Sequence, residues 1–137
     1  MANAEFMGSI FIGTWVTSDG TTGIDTDSRN FTYTETVDLI DATAGADTGK
    51  RNLVSFVDSS VTCEMLDQNN NGSSVYAQFA AGKVGTLTWA PAGTAAGKIK
   101  HTLPAICMGY TIAVPFKDVV TITVNWAQSA VQTLGTY

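Results

Sequence analysis

The amino-acid sequence predicts a mainly β protein: an antiparallel β-sandwich or barrel of about six to eight strands, with one short flanking α-helix and one long loop. Three observations predict it. Apolar residues alternate with Thr, Ser and charged residues in several segments, which is the period-two pattern of half-buried strands. Clusters of Gly, Asn and Pro separate these segments as turns. Only 14% of the 137 residues are charged while 45% are hydrophobic, which indicates a β-rich body with a largely neutral surface.

By length the chain is a single domain, and no internal repeat or domain boundary divides it. The first strand is predicted over residues 8–17, and residues 18–23 form a turn cluster. Residues 30–39 are the next strand, because one face carries Phe31, Tyr33, Glu35, Val37 and Leu39. Residues 41–51 have no apolar period and predict a long loop.

Residues 53–66 predict one long strand, or two strands with a bend at residues 58–60. The Asn-Gly turn that follows leads into the one convincing helix, residues 74–81. Ser73 or Ser74 is placed to cap that helix and Gly82 to end it. A helix of about two turns is too short to be stable alone, so it is expected to dock on the sheet.

Residues 84–90 predict a further strand, and residues 99–114 predict one or two strands around Pro104. Because proline lacks an N–H, Pro104 is expected at an edge or a bulge. Residues 115–118 predict a turn. Residues 119–127 alternate most regularly and are the strongest strand of the chain. The first seven residues and residues 128–137 are neutral and unpatterned, and we expect them to be arms.

Composition excludes several classes of protein. A formal charge of −5 and a pI near 4.5 do not suit a nucleic-acid binder, which needs clustered Lys and Arg. No apolar run approaches the ~20 residues of a membrane span, and the N-terminus does not resemble a signal peptide. Without export, Cys63 and Cys107 are expected to be free, buried thiols.

No motif in the sequence predicts catalysis, a metal or a cofactor. The single histidine, His101, is interpreted as an exposed strand residue, and no Gly-x-Ser-x-Gly or Cys-x-x-Cys motif is present. Asp25 and Asp27 lack the spacing of a calcium loop. The three tryptophans fit core packing better than a sugar-binding platform, since each lies in or at the end of a strand: Trp15, Trp89 and Trp126.

The charges are divided between the two halves of the chain. The stretch from Asp19 to Asp67 carries ten acids and three bases, a net charge of −7. The stretch from Lys83 to Lys117 carries four lysines and no acid. Two interpretations stay open: a chance distribution over solvated faces, or an acidic face of one molecule that meets a basic face of a neighbour.

The order of these features resembles the major tail (tail tube) protein family of long-tailed bacteriophages. In that family an acidic and apolar strand runs into a long Gly/Asp loop, and a Ser/Thr/Val-rich strand, a short helix and further strands follow. The resemblance covers nearly the whole chain as an order of elements. The matching segments are ETVDLID at 35–41, the loop to Arg51, SVTCEML at 60–66, the helix at 74–81, GTLTWAP at 85–91, and 101–124 with VPFKDVV at 114–120.

This resemblance implies a structural protein of the virion tail, assembled in the host cytoplasm. Copies of the chain would form hexameric rings by joining their sheets, and the rings would stack into a tube for genome ejection. DNA would pass through the lumen without sequence-specific binding, and other tail proteins would be partners. The predicted stacking residues are Asp41, Asp47, Lys50 and Arg51, and the predicted complementary basic contacts are Lys83, Lys98, Lys100 and Lys117.

Two alternatives remain beside this hypothesis. One is another virion component on a similar fold, such as a tail terminator, a head–tail connector or a capsid decoration protein. The other is a carbohydrate-binding β-sandwich module that uses the tryptophans. An enzyme is not expected, and no cofactor is implied.

Overall fold

The computed structural model describes residues 10–25, 28–67 and 73–137. This part of the chain forms eight strands and one helix. In chain order they are β1 (Ile12–Thr17), β2 (Gly20–Gly23), β3 (Ser28–Asp41), β4 (Asn52–Leu66), α1 (Ser73–Gln78), β5 (Val84–Ala90), β6 (Ile99–Ala113), β7 (Thr121–Gln128) and β8 (Thr133–Thr136). The predicted N-terminal arm, residues 1–7, lies outside the described residues.

All eight strands belong to one antiparallel sheet that does not close. The strand order is β2-β1-β5-β6-β7-β4-β3, and β8 pairs with β6. The sheet curls over itself: the ring of Phe31 in β3 lies 4.8 Å from that of Phe11 and 5.3 Å from that of Trp89 in β5. The predicted fold class is confirmed, and the sandwich-like layering comes from a single curled sheet.

The core lies inside this curl and is built around tryptophan. Trp15 and Trp126 are fully buried with ring centroids 5.7 Å apart, and Trp89 is buried near them. The core interpretation of the three tryptophans is therefore confirmed, since none presents a face that a sugar could stack on.

Helix α1 docks on the sheet as its short length requires. The indole Nε1 of Trp15 donates a 2.7 Å hydrogen bond to the carbonyl of Gln78, and Phe79 is buried against Trp126. The helix is shorter than the predicted 74–81, because hydrogen bonds between residues three apart tighten the chain after Gln78. Gly82 follows with a φ of +89°. The predicted serine caps have side chains outside the described part.

The alternation in residues 30–39 predicts burial along the whole strand, and this is correct only for the first half. Phe31 and Tyr33 are half-buried against the core, whereas Val37 and Leu39 are exposed. The reason lies in a distant strand. β4 pairs with β7 only from Ser60 onward, so in the described part of the chain no third strand lies beside the outer half of the β3–β4 pair.

The expected position of Pro104 is corrected by the structure. It lies inside β6 and pairs with Thr86 of β5, which is an inner position. On its other side, β8 pairs as far as Thr102 and β7 pairs from Ala105. In a β-strand, the backbone nitrogen and the carbonyl of one residue point to the same side of the strand. The Pro104 carbonyl accepts a hydrogen bond from the Ser129 amide, so it points to the side of β6 on which β7 and β8 lie. The proline nitrogen therefore faces the gap between two partner strands, where no donor is needed.

The C-terminal segment, expected to be an unpatterned arm, contains a strand. Residues Thr133–Thr136 form β8 and pair with Ile99–Thr102 of β6 in the same chain. Backbone hydrogen bonds of Tyr137 with Gly97 and Lys98 fix its end.

Cys63 and Cys107 are free and buried, as predicted. Burial raises the pKa of Cys63 to about 11 and raises the pKa of Cys107 as well. A thiol held neutral in this way is a packing group and not a nucleophile.

Candidate assembly surfaces

A long hairpin projects from one end of the sheet. Its root is at Ser59, whose hydroxyl donates a 2.7 Å hydrogen bond to Gln128 at the end of β7. The seven residues before it in β4 are not paired with β7 in the sheet, although the Gln128 side chain donates a hydrogen bond to the Val57 carbonyl. At ~3.3 Å per residue these seven residues carry the hairpin roughly 23 Å beyond the body. We call residues 34–58 the projecting hairpin.

The projecting hairpin exposes large apolar side chains. Leu39 pairs with Val54 and Ile40 pairs with Leu53 across the two strands, and all four are exposed. Phe56 is 82% exposed and Val54 is 70% exposed. A two-stranded ribbon of this kind is marginal in water by itself, so its apolar side chains favour contact with another surface.

The tip of this hairpin is an ordered loop. The Ala42 amide donates to the Arg51 carbonyl at 2.9 Å and closes the loop. Asp47 accepts a 2.7 Å hydrogen bond from the Ala44 amide and lies 3.7 Å from the Arg51 guanidinium. Asp41, which ends β3, accepts a hydrogen bond from Thr43, and these bonds lower the pKa of its carboxyl.

The predicted stacking residues therefore meet at one place. Asp41, Asp47 and Arg51 build the tip, and Lys50 lies exposed beside them. Their part in stacking remains a prediction, because no contact of the single chain tests it.

The predicted basic contacts do not meet. Lys83 forms an ion pair with Asp19 beside the start of β5. Lys98 and Lys100 lie at the start of β6, where the Lys100 ammonium is 5.3 Å from the centroid of the Tyr137 ring. Lys117 lies beyond the far end of β6. The charge division along the sequence thus does not make one basic pole on the folded chain.

A second apolar projection occupies the opposite end of the sheet. The turn between β6 and β7, residues 114–120, is called here the apolar turn. Phe116 is 98% exposed and Val114 is 72% exposed. The carboxyl of Asp118 accepts a 2.7 Å hydrogen bond from the Val119 amide and shapes the turn. Sequence reasoning identified the turn but missed its surface, although a Val-Pro-Phe run in a turn is itself the signal.

One face of β3, β4 and β7 carries mostly neutral polar side chains, together with Glu64, which lies two residues from Thr62. Thr32 pairs with Thr62, and Thr62 pairs with Asn125 and donates a 2.9 Å hydrogen bond to its side chain. Thr34, Ser60 and Thr123 share this face because they lie two residues from these positions. We call it the hydroxyl face. The opposite face of these strands packs against the tryptophan core, where the alternate residues Val61, Cys63 and Val124 are buried.

Along the main strand order the two edges of the sheet are β2 and β3, and the short strand β8 forms a further edge beside β6. The 14-residue strand β3 has β4 on one side, and within the described residues no strand pairs with its other side. Such an edge presents unpaired backbone N–H and C=O groups to another chain.

His101 is not the exposed residue that its sequence context predicted. Its ring stacks on Trp89 at 5.1 Å and 4°, and its Nδ1 lies 2.9 Å from the Gln132 side-chain oxygen. The histidine closes one end of the core. In residues 10–25, 28–67 and 73–137, no group of three or more His, Cys, Asp or Glu side chains could hold a metal.

Solved structures resemble this fold over nearly its full length. A chain from the tail of an empty gene transfer agent (GTA) particle, determined with C6 symmetry, has a TM-score of 0.76 at 9% identity, over 96% of this chain and 100% of its own. A chain of the SPP1 tail tube has a TM-score of 0.76 at 8% identity, over 97% and 80%. A chain of the anti-feeding prophage (AFP) baseplate has a TM-score of 0.69 at 12% identity, over 99% and 98%.

This chain shares its fold with chains of these tail and baseplate structures. No family model matches the sequence, and no curated protein matches it significantly. The likeness is therefore one of backbone architecture, which sequences only 8–12% identical retain. No helix in the described part is long and apolar enough to cross a membrane.

Proposed function

We propose that this chain is the subunit of a phage-type tail tube, a structural protein that assembles into hexameric rings that stack around a channel for DNA. The observation that carries this proposal is the near-complete match of its fold to chains of a GTA tail and of the SPP1 tail tube. The projecting hairpin and the apolar turn support it independently, since a protein that remains a monomer rarely exposes such side chains.

Ring formation would use the sheet edges. β2 and β3 lie at opposite ends of the strand order, so a contact of one edge with the other edge of a neighbour is heterologous. A heterologous contact closes into a ring when the rotation between subunits permits it. The C6 symmetry of the GTA tail is an example of such closure.

Stacking would use the projecting hairpin. Its ordered tip, with Asp41, Asp47, Lys50 and Arg51, would reach the next ring, and Lys83, Lys98, Lys100 and Lys117 would offer separate contacts and not one basic face. The C-terminal segment would serve as an arm on a neighbour only if β8 left β6. Loss of its short backbone ladder is the main cost of that exchange.

The channel wall would be the hydroxyl face. It is rich in neutral hydroxyl and amide groups. The guanidinium of Arg29, in β3, lies 3.9 Å from the carboxylate of Glu64. A wall without clustered Lys and Arg does not retain phosphates by counterion release. DNA would therefore slide through without sequence-specific binding.

Negative-stain electron microscopy and analytical ultracentrifugation of the purified chain test this proposal. We expect rings with sixfold symmetry and, at high protein concentration, stacks of those rings. A chain that stays monomeric at every concentration and salt condition, with no rings or tubes on the grid, would refute it.

A second candidate function is a ring-forming component at the end of a tail. The match to a chain of the AFP baseplate favours this candidate. The tail-end component and the tube subunit differ in whether their rings stack without limit. Single rings that never elongate would support the tail-end component, and open-ended tubes would support the tube subunit.

A further inference from the structure

The most exposed large apolar side chains of the described residues lie in two places. Phe116 and Val114, at 98% and 72% exposure, belong to the apolar turn, and Phe56 and Val54, at 82% and 70%, belong to the projecting hairpin. In each place a phenylalanine and a valine lie two positions apart. Aromatic side chains that become fully buried at an interface supply much of its binding energy.

The register of the sheet places these two sites at opposite ends of the molecule. Thr121, directly after the apolar turn, pairs with Leu66 at the end of β4. Ala127 pairs with Ser60, and the projecting hairpin begins beyond that pair. The two sites therefore cannot meet within one chain, but the ends of two successive copies in a stack can.

The charges of the two sites do not oppose a contact between them. The projecting hairpin carries five acids and two bases, a net formal charge of −3. The apolar turn carries Lys117 and Asp118, a net formal charge of zero, and Lys117 follows Phe116 directly in the chain. A pair between Lys117 and a carboxylate of the projecting hairpin would orient the encounter more than it tightens it. The affinity would come from the aromatic and valine side chains.

We propose that the apolar turn of one copy docks on the projecting hairpin of another copy, with Phe116 packed against Phe56 and Val54. This contact rests on the proposed function and makes it specific: it is the heterologous contact that holds one ring on the next. Because each copy offers both halves of the contact, addition of a ring always leaves a new pair of sites open. The contact therefore propagates along the tube.

Site-directed crosslinking tests the geometry. In Ser55→Cys and Lys117→Cys the new thiols flank the two phenylalanines and leave them in place. We expect a short bifunctional thiol reagent to link the two variants to each other in a mixture, and to link neither variant to itself. The double variant should give a ladder of covalent oligomers. The unmodified chain is the control, because its own cysteines are buried.

Substitution tests the energetics. Phe116→Ser should raise the protein concentration needed for stacking by roughly tenfold or more, because a buried aromatic contact is lost, and should leave rings intact. Phe116→Leu, which stays apolar, should stack nearly as the unmodified chain does. Val84→Ser, at an exposed apolar position outside both sites, is the matched control. Denaturation midpoints confirm that each variant is folded.

The outcomes separate this contact from the tube hypothesis. Tubes that form normally with Phe116→Ser, or that give no crosslink between the Ser55→Cys and Lys117→Cys variants, would overturn the contact and leave the tube subunit standing. Self-crosslinking of either single variant would also overturn it, since that result indicates a closed, symmetric pair. An unmodified chain that forms neither rings nor tubes would refute both the contact and the proposed tube subunit.

Discussion

The body of the sheet and the projecting hairpin share one strand, β4, and yet differ in what covers their side chains. From Ser60 to Leu66, β4 has β7 beside it, and its alternate residues Val61, Cys63 and Met65 are buried. From Asn52 to Asp58 it has only β3 beside it, and Val54 and Phe56 are exposed. The same strand is a core element in one half and an assembly surface in the other. Stability and assembly should therefore respond to different substitutions along it.

The largest effect on stability is expected for Trp126→Ala in the body. This side chain is fully buried between Trp15 and Phe79, and its loss leaves a large cavity. We expect a decrease in the free energy of unfolding of ~3–5 kcal/mol, measured by chemical denaturation of the monomer. Phe56→Ala in the hairpin is the matched comparison, with a change within about 0.5 kcal/mol. Equal effects of the two substitutions would contradict the distinction between the regions.

A smaller effect is expected from glycine substitutions. A Cβ at Gly85, in β5, would lie 2.1 Å from the backbone oxygen of Val16, so the paired strands would have to separate. Gly85→Ala should cost about 1–3 kcal/mol of unfolding free energy, as overpacked sites do. At Gly45, in the hairpin tip, a Cβ meets nothing within 4 Å, and Gly45→Ala should leave the thermal midpoint nearly unchanged. A tolerant Gly85 would mean that β1 and β5 are not packed this closely.

The pH dependence of the body should follow Cys63. Its pKa is raised by burial from 9.0 to about 11, so the folded state favours the neutral thiol. The corresponding stability is present below pH 9 and is lost as the pH rises from about 9 to 11, where the unfolded chain ionises first. Denaturation midpoints over this range should fall for the unmodified chain and fall less for Cys63→Ala. A parallel decline in both would assign the loss to other groups.

The smallest effect on stability, and the largest on assembly, is expected from deletion of residues 44–48. The deletion removes the hairpin tip and leaves the tryptophan core untouched. Circular dichroism and the denaturation midpoint should be unchanged, and rings should form but should not stack. Thr48→Ala, which keeps the loop length, is the control. A deletion variant that unfolds would show that the tip is part of the fold and not an assembly element.

Local pattern was enough to predict the strands but not their surroundings. The alternation around Trp126 predicted a buried strand correctly, because β7 has neighbours on both sides along its length. The same pattern at Val37 and Leu39 predicted burial that does not occur, because β7 stops opposite Ser60. The aromatic stack that covers His101 and the strand β8 were missed for a related reason. His101 is covered by Trp89 and Gln132, and β8 forms only by pairing with Ile99–Thr102 of β6; in each case the partner is distant in the sequence.

For the candidate surfaces too, the sequence predicted the local element and the structure decided its surroundings. The loop at residues 41–51 was recognised from composition, and the structure places it at the tip of a hairpin. At the apolar turn the sequence predicts only a turn, since Pro115 and Asp118 favour one. Whether the apolar side chains of a turn are exposed depends on the tertiary structure. The lysines of the second half of the chain do not gather in the fold, because Lys98 and Lys100 lie at one end of the 15-residue strand β6 and Lys117 lies beyond its other end.

The sequence by itself determined that this chain is mainly β, that its tryptophans form the core, and that its surface is poor in charge. Each of these depends on residue type and on a period of two, which are local properties. Only the tertiary structure decided which apolar side chains stay uncovered. That depends on the register between strands far apart in the chain, and here the place where β7 ends divides β4 into a buried half and an exposed half.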